Sequence, residues 1–387
     1  MMLLRNGMIL TLQQGLQIDS WFHIMPFKWD DNNNEFNIEN KRLSKAWRLM
    51  AFLYFCVTGI LMLFSCWLNG ESYNTAEKSQ TLVTATALLL CGTIFWTLHT
   101  ENINTIAMLN GFLKLEEEME QDEKIIPKDT RTILITWIGK LLVVSGKCYA
   151  VLTSIVSGFD PKFPTNTFAL YWPAMESSES VPLHILHRVV TMAVNLVVWH
   201  IISLSGLITC LEMIISMEAA RVYQLSLLNY TKTTGCLEMW VKIGQLYRRL
   251  RLLIQMFNHV HAKAIVVHLL IFLSVSEVSS VYSLIRCEGI PFPILITLLF
   301  IASDAYITII GVYGCAGVVN KTSKQVTADL RRKSVKVRSC FVKKTMSGFP
   351  DLRIGFGSVN FIEVITPLEF LNFNNLRIVD LLLFNRQ

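Results

Sequence analysis

Charged residues are scarce in this sequence. They make up 17% of its 387 residues, whereas about 25% is usual for a soluble domain. Hydrophobic residues make up 52%, and the mean hydropathy is +0.43. This composition argues against a soluble multidomain protein. The net charge of +6 is concentrated beside the apolar stretches, which indicates attraction to anionic membrane lipid and argues against nucleic acid as a partner.

Sequence motifs of enzymes and cofactor sites are also missing. The chain has no GxxxxGK[ST], GxGxxG, GxSxG or HExxH pattern and no paired CxxC. Most of its nine cysteines lie inside apolar stretches, where cysteine acts as a small hydrophobe. His259, His261 and His268 lack a carboxylate or thiol at ligand spacing, so we interpret them as interfacial histidines at a helix entry. We therefore predict no enzymatic activity, no cofactor and no metal site.

Six apolar stretches are long enough to cross a bilayer, which takes about 20 residues for a hydrocarbon core of roughly 30 Å. Backbone amides in lipid have to be paired within their own segment, so each stretch is predicted to be a helix. The predicted spans are Met50–Leu68, Thr81–Leu98, Ile133–Ser157, Val189–Ile215, Ala264–Ile285 and Ile294–Val319. The predicted fold class is an all-α polytopic membrane protein with six clear transmembrane helices.

The connections between these spans alternate in positive charge. Those after spans one, three and five contain only Lys78, Lys162 and Arg286, apart from Arg188 at the mouth of span four. The segments on the other side carry many Lys and Arg residues, as cytoplasmic loops do. The N-terminus and the region after span six are therefore predicted to be cytoplasmic. The predicted organisation has three parts, a cytoplasmic lead-in at 1–47, a transmembrane helical bundle at 48–319, and a basic segment with a C-terminal helix at 320–387.

The connection between spans four and five, residues 216–263, is predicted to be a long cytoplasmic helical segment. Leu237–Phe257 within it is amphipathic, with apolar residues mostly three and four apart and a basic opposite face. This helix either lies on the inner leaflet or extends span five into the cytoplasm. We favour the extension, because no Pro occurs between Leu237 and Ile285.

The C-terminal region contains a helix start signal at Thr366-Pro367-Leu368-Glu369. Thr is typical of the N-cap, Pro of the first helical position and Glu of the third. The predicted helix runs from Thr366 to about Phe384, nearly long enough to span. Polar side chains interrupt it around the whole helical wheel: Asn372, Asn374, Asn375, Arg377 and Asp380. It is either a seventh span, surrounded by protein or lining water, or a cytoplasmic or interfacial helix.

Polar and ionisable side chains lie inside several predicted spans. The candidate ligand-binding or gating groups are Lys147, His200, Glu277 and Asp304, with Trp199 and Tyr306 as candidate aromatic walls. Burying such groups is costly, so we expect the polar ones to face the bundle interior or a water-filled cavity. Counted along their helices, these residues lie at similar depths in the membrane, so Lys147 could pair with Glu277 or with Asp304. The group either forms a polar cavity for a ligand or ion, or joins helices and fixes their packing.

Four features of the sequence occur together. They are the predicted cytoplasmic N-terminus, the short outer connections, the long helical connection after span four, and the segment Leu246–Val260, which runs into span five. Together they resemble the arthropod chemoreceptor superfamily of gustatory and odorant receptors, over about Lys41 to Val319. The resemblance implies a ligand-gated, non-selective cation channel in the plasma membrane, assembled as a tetramer with itself or with related receptors. It also implies a pocket for a small tastant or odorant in the outer half of the bundle, and a cytoplasmic anchor where subunits meet.

In that family the last span lines the pore and usually carries a Thr-Tyr pair, then apolar residues and Gln-Phe. Ile354–Gln387 does not contain this motif, although the helix from Thr366 occupies the corresponding place. The resemblance makes Asn372, Asn375 and Asp380 the candidate pore-lining residues. The alternative class is an ion-coupled secondary transporter, which intramembrane Lys, His, Glu and Asp also suit. No clear repeat relates spans one to three to spans four to six, and midspan Pro is absent.

Overall fold

A computed structural model describes residues 25–38, 42–68, 75–121, 130–159, 181–231, 237–288, 290, 292–358 and 360–384. Most of these residues are helical. The α-helices are α1 (Arg42–Leu68), α2 (Thr75–Thr100), α3 (Asn102–Gln121), α4 (Thr130–Phe159), α5 (Val181–Tyr230), α6 (Leu237–Phe257), α7 (Ile265–Arg286), α8 (Phe292–Thr308), α9 (Gly314–Ser334), α10 (Cys340–Ser347) and α11 (Thr366–Phe384). Two π-helices, Asn258–Ala262 and Ile309–Tyr313, precede α7 and α9. Two antiparallel hairpins pair β1 (Phe27–Asp30) with β2 (Glu35–Ile38) and β3 (Gly355–Phe356) with β4 (Asn360–Phe361).

Five helical segments of the described residues have the length and hydropathy of membrane spans. They are Ser44–Leu68, Glu77–Thr100, Arg188–Tyr230, Ile265–Arg286 and Ile294–Ser334. They correspond to predicted spans one, two, four, five and six. Predicted span three lies in α4, a continuous helix of 30 residues, several of whose side chains are outside the described residues. A count of six or seven crossings and the cytoplasmic N-terminus stay predictions.

The longest helix, α5, contains 50 residues. At 1.5 Å per residue it is about 75 Å long, more than twice the thickness of the hydrocarbon core. Predicted span Val189–Ile215 is therefore only its middle part, and the connection expected from Ser216 remains helical as far as Tyr230. No Gly or Pro occurs between Leu207 and Thr234, so nothing in the sequence breaks the helix there.

The predicted amphipathic helix is present as α6, and nine of its residues are buried. It continues through the π-helix to Ala262, and after a turn at Lys263 and Ala264 the chain becomes α7. The arrangement agrees with the favoured extension of span five. The buried face of α6 packs on α3, α5 and α10, so its apolar stripe is used for packing within the chain.

The membrane half of the bundle is arranged around α2 and α7. In the apolar stretch of α2, 72% of the residues are buried inside the protein, whereas in that of α1 only 22% are. Helix α1 packs along α2 and turns Leu53, Ile60 and Trp67 outward, as expected for a surface that faces lipid. Helix α4 packs on α5, and α7 contacts α2, α8 and α11. Helices α2, α5, α7 and α8 therefore enclose a common interior.

The end of the bundle that is predicted to be cytoplasmic has its own polar and aromatic contacts. The Tyr247 ring of α6 stacks on Phe349 at 4.3 Å between centroids, and its hydroxyl donates to the Pro350 carbonyl at 2.5 Å. Burial raises the pKa of Tyr247 to about 12, so the hydroxyl stays a donor at neutral pH. Arg249 pairs with Glu118 and joins α6 to α3. These contacts extend the helical bundle beyond its membrane half.

The hairpin of β1 and β2 is fixed to the bundle by Asn110 of α3. The Asn110 amide oxygen accepts from the Phe36 amide at 2.8 Å, and its Nδ2 donates to the Phe36 carbonyl at 2.9 Å. One side chain thus completes both backbone hydrogen bonds of Phe36, as a third strand would. Phe36 itself is 2% exposed. The described part of the lead-in is therefore attached to the helices by burial and by hydrogen bonds.

The chain before α11 is attached to the π-helix that precedes α7. Gly357, at φ 64°, donates its amide to the Ala262 carbonyl at 2.9 Å. The Asn258 side chain accepts from the Gly355 amide at 2.8 Å and donates to the Arg353 carbonyl at 2.8 Å. The wider π turn leaves polar groups available to other segments, and here they position the β3–β4 hairpin.

Helix α11 begins and ends at the predicted residues, but its first turn is made differently. The Thr366 hydroxyl accepts from the Glu363 amide at 2.9 Å. The Ile365 carbonyl accepts from the Leu368 and Glu369 amides. The predicted capping box with Thr366 as N-cap is therefore wrong, because this hydroxyl stabilises the preceding turn instead.

Gly317 of α9 allows the chain before α11 to approach closely. A Cβ there would lie 2.5 Å from the Glu363 carbonyl oxygen and 2.7 Å from the Val364 Cα. Because both are backbone atoms, Gly317→Ala is expected to destabilise the protein by about 1–3 kcal/mol. Gly314→Ala is the matched control, since its Cβ meets no atom within 4 Å. Thermal unfolding in detergent should show a lower midpoint for Gly317→Ala alone, and equal midpoints would contradict the close approach.

Candidate functional site

A cavity of about 150 Å³ lies between α2, α5, α7 and α8, roughly midway along these helices. Its wall consists of Val83, Ala87, Leu90 and Cys91 of α2, Trp199, Ile202, Ser203, Gly206, Leu207 and Cys210 of α5, Leu269, Phe272, Leu273 and Ser276 of α7, and Phe300, Ile301, Asp304, Ala305 and Thr308 of α8. The α5 positions recur at threes and fours and thus form one face of that helix. A mostly apolar wall with few polar groups is typical of small-molecule sites.

Two of the predicted site residues, Trp199 and Asp304, lie in the cavity wall. The Trp199 side chain is buried and Asp304 is half-buried. Asp304 supplies a carboxylate to a mostly apolar surface, so it is suited to accept a hydrogen bond from a ligand. His200 is adjacent in sequence, but it is half-buried and outside the wall.

A second polar group, which we call the Glu277 cluster, lies where α7, α8 and α11 meet. It consists of Glu277, Tyr306, Asn374 and Asn375. Asn374 Nδ2 donates to Glu277 Oε2 at 2.7 Å, and both side chains are fully buried. The Tyr306 hydroxyl donates to Asn375 Oδ1 at 3.3 Å and also interacts with the Glu277 carboxylate. Three of the four residues were candidates from the sequence, and the structure brings them together.

Asn374 was not distinguished in advance from the other polar residues of α11. In the structure it belongs to the helix's buried stripe, Pro367, Leu371, Asn374 and Ile378. The residues of this stripe are four, three and four positions apart. A helical wheel therefore places Asn374 on the same face as Leu371 and Ile378, and this spacing could have identified it as buried. The remaining oxygens Glu277 Oε1 and Asn374 Oδ1 have no hydrogen-bond partner among the described residues. A buried carboxylate that is only partly satisfied is costly and makes this contact sensitive to helix position.

The cavity and the Glu277 cluster are connected by one turn of α8. Asp304 and Tyr306 are two residues apart, about 200° around a helix. Asp304 therefore faces the cavity while Tyr306 faces α11. A rotation or shift of α8 that alters one contact also alters the other.

A third contact joins α7 and α11 below this turn. Tyr313, in the π-helix after α8, donates its hydroxyl to the Val266 carbonyl at 2.7 Å. Its ring lies edge-on against Phe370 of α11, with 5.6 Å between centroids. Tyr313 is fully buried. Short π-helices often occur at functional sites, and this one lies between the cavity wall and the start of α11.

Two buried polar contacts of α5 were not predicted from the sequence. His261 Nε2 lies 3.1 Å from Glu212 Oε1, and both side chains are fully buried. Arg221 contacts Glu218 with two nitrogens, at 2.5 and 2.9 Å. The prediction that His261 is interfacial is wrong, because Glu212 provides a buried partner 49 positions away in sequence. No local spacing indicates such a pair.

The other predicted site residues lie apart from the cavity. Asn372 and Asp380 are on the exposed face of α11, and Asp380 pairs with Arg377 at 3.0 Å. The side chain of Lys147 is outside the described residues, so its pairing with Glu277 or Asp304 stays a prediction. Within the described part of the chain, no group of three His, Cys, Asp or Glu residues is arranged to hold a metal ion.

The fold is similar to that of insect olfactory receptor OR5 from Machilis hrabei. One solved structure of that receptor aligns with a TM-score of 0.65 and 10% sequence identity, covering 95% of this chain and 99% of the receptor chain. A second, in complex with eugenol, aligns with a TM-score of 0.69 and 10% identity, covering 96% and 97%. No protein-family model and no curated protein matches the sequence. The predicted resemblance to insect-type chemoreceptors is thus confirmed at the level of the fold.

Proposed function

We propose that this chain is a chemosensory receptor and a subunit of a ligand-gated, non-selective cation channel. The cavity between α2, α5, α7 and α8 binds the ligand, a small and mainly apolar molecule of the tastant or odorant class. The observation that carries the proposal is this mostly apolar cavity, with one carboxylate in its wall, inside a fold similar to that of an insect olfactory receptor. Eugenol, bound by the compared receptor, is a first compound to test.

Coupling between ligand and pore runs through α8. A ligand that contacts Asp304 and Trp199 favours one position of α8, and the opposite side of that helix carries Tyr306 in the Glu277 cluster. Movement of Tyr306 changes the contacts that α7 and α8 make with α11. The ligand shifts the equilibrium between the two positions of α8 only to the extent that its affinity for them differs.

The assembly that follows is a tetramer of this chain, alone or with related receptors, in the plasma membrane. The N-terminus is cytoplasmic, and α11 crosses the membrane as the seventh span. Its 19 residues cover about 28 Å, close to the thickness of the hydrocarbon core. Asn372, Asn375 and Asp380 lie on its exposed face and line the pore. An epitope tag placed after Phe384 tests this topology, and binding of an antibody to the tag on intact cells supports it.

Current recording tests the proposal against a transporter. The full chain, alone and with a co-expressed receptor, is expressed in cells under voltage clamp and exposed to a panel of tastants and odorants. We expect ligand-evoked cation currents that are larger than the transport cycle of a carrier can produce. Saturable coupled uptake without conductance would instead identify a secondary transporter.

The variant Asp304→Asn separates ligand binding from helix packing. We expect an altered ligand concentration dependence, by roughly tenfold for ligands that donate a hydrogen bond, because the charge-assisted bond weakens. Surface labelling is expected to be unchanged. Loss of the protein from the cell surface would show that Asp304 joins helices rather than contacting a ligand.

A further inference from the structure

A basic groove lies at the end of the bundle that is remote from the cavity. Its volume is about 640 Å³, and its walls include Thr231 and Trp240 on one side and Lys333, Lys336, Arg338 and Ser339 on the other. The first side comes from the end of α5 and the first turn of α6, and the second from the last turn of α9 and the residues between α9 and α10. The groove shares no residue with the cavity or with the Glu277 cluster.

The groove presents positive charge without a compensating carboxylate among its described lining residues. Lys333 is fixed across it, since its Nζ donates to the Thr231 hydroxyl at 2.5 Å. Lys336 and Arg338 are exposed at the rim. The nearby Asp329 is paired with Arg332 at 2.8 Å. Three cations that converge on one concave surface repel each other, and a multivalent anion relieves that repulsion.

The shape and position of the groove indicate what kind of anion it takes. The lining also contains the apolar side chains of Leu237, Trp240 and Val337, which we call its apolar floor, and these suit a compact organic group rather than a bare inorganic ion. Thr231 lies 16 residues beyond the predicted inner end of span four at Ile215. At 1.5 Å per helical residue this is about 24 Å, and with the span ending at Ile215 as predicted, this distance favours a soluble anion over an inner-leaflet headgroup.

We propose that this groove binds a soluble, multiply phosphorylated metabolite on the cytoplasmic side. Lys336 and Arg338 contact its phosphates from the rim, Lys333 contacts them from the wall, and the apolar floor receives the carbon framework. Lys and Arg are the side chains suited to phosphate, through charge and through bidentate hydrogen bonds. This inference does not depend on the proposed channel activity.

Calorimetric titration of the full chain in nanodiscs of neutral lipid tests the proposal. Inositol hexakisphosphate and ATP are the probes, at physiological salt so that weak surface attraction is screened. Saturable binding of at least one probe is expected, and the double variant Lys336→Ala/Arg338→Ala is expected to weaken it at least about tenfold. The matched control Lys343→Ala/Lys344→Ala removes equal charge from α10 outside the groove and is expected to change the affinity less than about twofold.

Three outcomes would overturn the proposal. Absence of saturable binding by both probes excludes the site. Equal weakening by the groove variant and the control shows general attraction to a basic surface. A third arm uses vesicles of neutral lipid with a few per cent of a polyphosphorylated inositol lipid. If the wild-type protein binds that lipid, if the groove variant loses this binding, and if both soluble probes fail, the groove takes a lipid headgroup instead.

Discussion

Replacing Gly206 by Phe is expected to raise the half-maximal ligand concentration by roughly 10- to 100-fold, or to abolish the response. A Cβ built on Gly206 meets no heavy atom within 4 Å, and the residue lies in the cavity wall. A larger side chain therefore grows into the space proposed for the ligand. A ligand that loses the burial of one ring-sized group loses about 1.5–3 kcal/mol, which corresponds to that range. Dose–response currents measure the effect.

Gly206→Ala is the matched control for the cavity-filling variant. A methyl group leaves most of the cavity open, so the ligand response is expected to stay within a few-fold of the wild type. Replacing a helical Gly by Ala is also expected to stabilise α5 by up to about 1 kcal/mol, visible as a higher unfolding temperature. A Phe variant that reaches the surface and responds like the wild type would place the ligand elsewhere.

Replacing Asn374 by Leu is expected to increase the current without ligand. Its Nδ2 donates to the buried Glu277 carboxylate at 2.7 Å, and this bond holds α11 against α7. In the proposed gating, α11 leaves this position when the pore opens, so the bond is expected to favour the closed state. A hydrogen bond to a charged group contributes about 1.5–3 kcal/mol, so its loss changes the open-to-closed ratio by roughly 10- to 150-fold. Basal current per surface receptor is the measurement.

A double-mutant cycle with Glu277→Gln is the control for this contact. If the two side chains act as one unit, the double variant changes the basal current by less than the product of the two single effects. Independent effects would separate Glu277 from Asn374. Retention of both single variants inside the cell, with no surface protein, would instead favour the interpretation that these groups only join helices.

The apolar helices were predictable because each one has to form its backbone hydrogen bonds within its own segment and has to match the surrounding lipid with its own apolar side chains. A run such as Met50–Leu68 indicates a membrane helix on its own, and α1 contains it. The helix Thr366–Phe384 was predicted from Thr366 as N-cap, Pro367 at the first helical position and Glu369 after it, and its extent is right although the capping by Thr366 is not. A helical connection after Ile215 was predicted, but its continuity with span four in the single helix α5, as far as Tyr230, was not. Charge marks where a helix leaves lipid, but it does not end the helix.

The candidate site was predictable as a set of residues but not as an arrangement. Glu277 and Asp304 were candidates because polar groups in a span need partners, and Tyr306 was a candidate for an aromatic wall. Which partner each one finds depends on how helices distant in sequence are rotated against each other. Asp304 faces the cavity and Tyr306 faces α11, although they are separated by one residue. Glu212 and His261 form a buried pair for the same reason, without any local sequence signal.

By itself, the sequence determined that apolar helices cross a membrane and that the chain resembles an insect-type chemoreceptor, because hydropathy and helix length are properties of single segments. The tertiary structure alone decided that Gly206 borders open space, that Asn374 reaches Glu277, and that Lys333, Lys336 and Arg338 share one groove. Those facts depend on the relative rotation and depth of helices, which are set by packing across the whole bundle. The ligand, gating and anion proposals all concern contacts of this second kind.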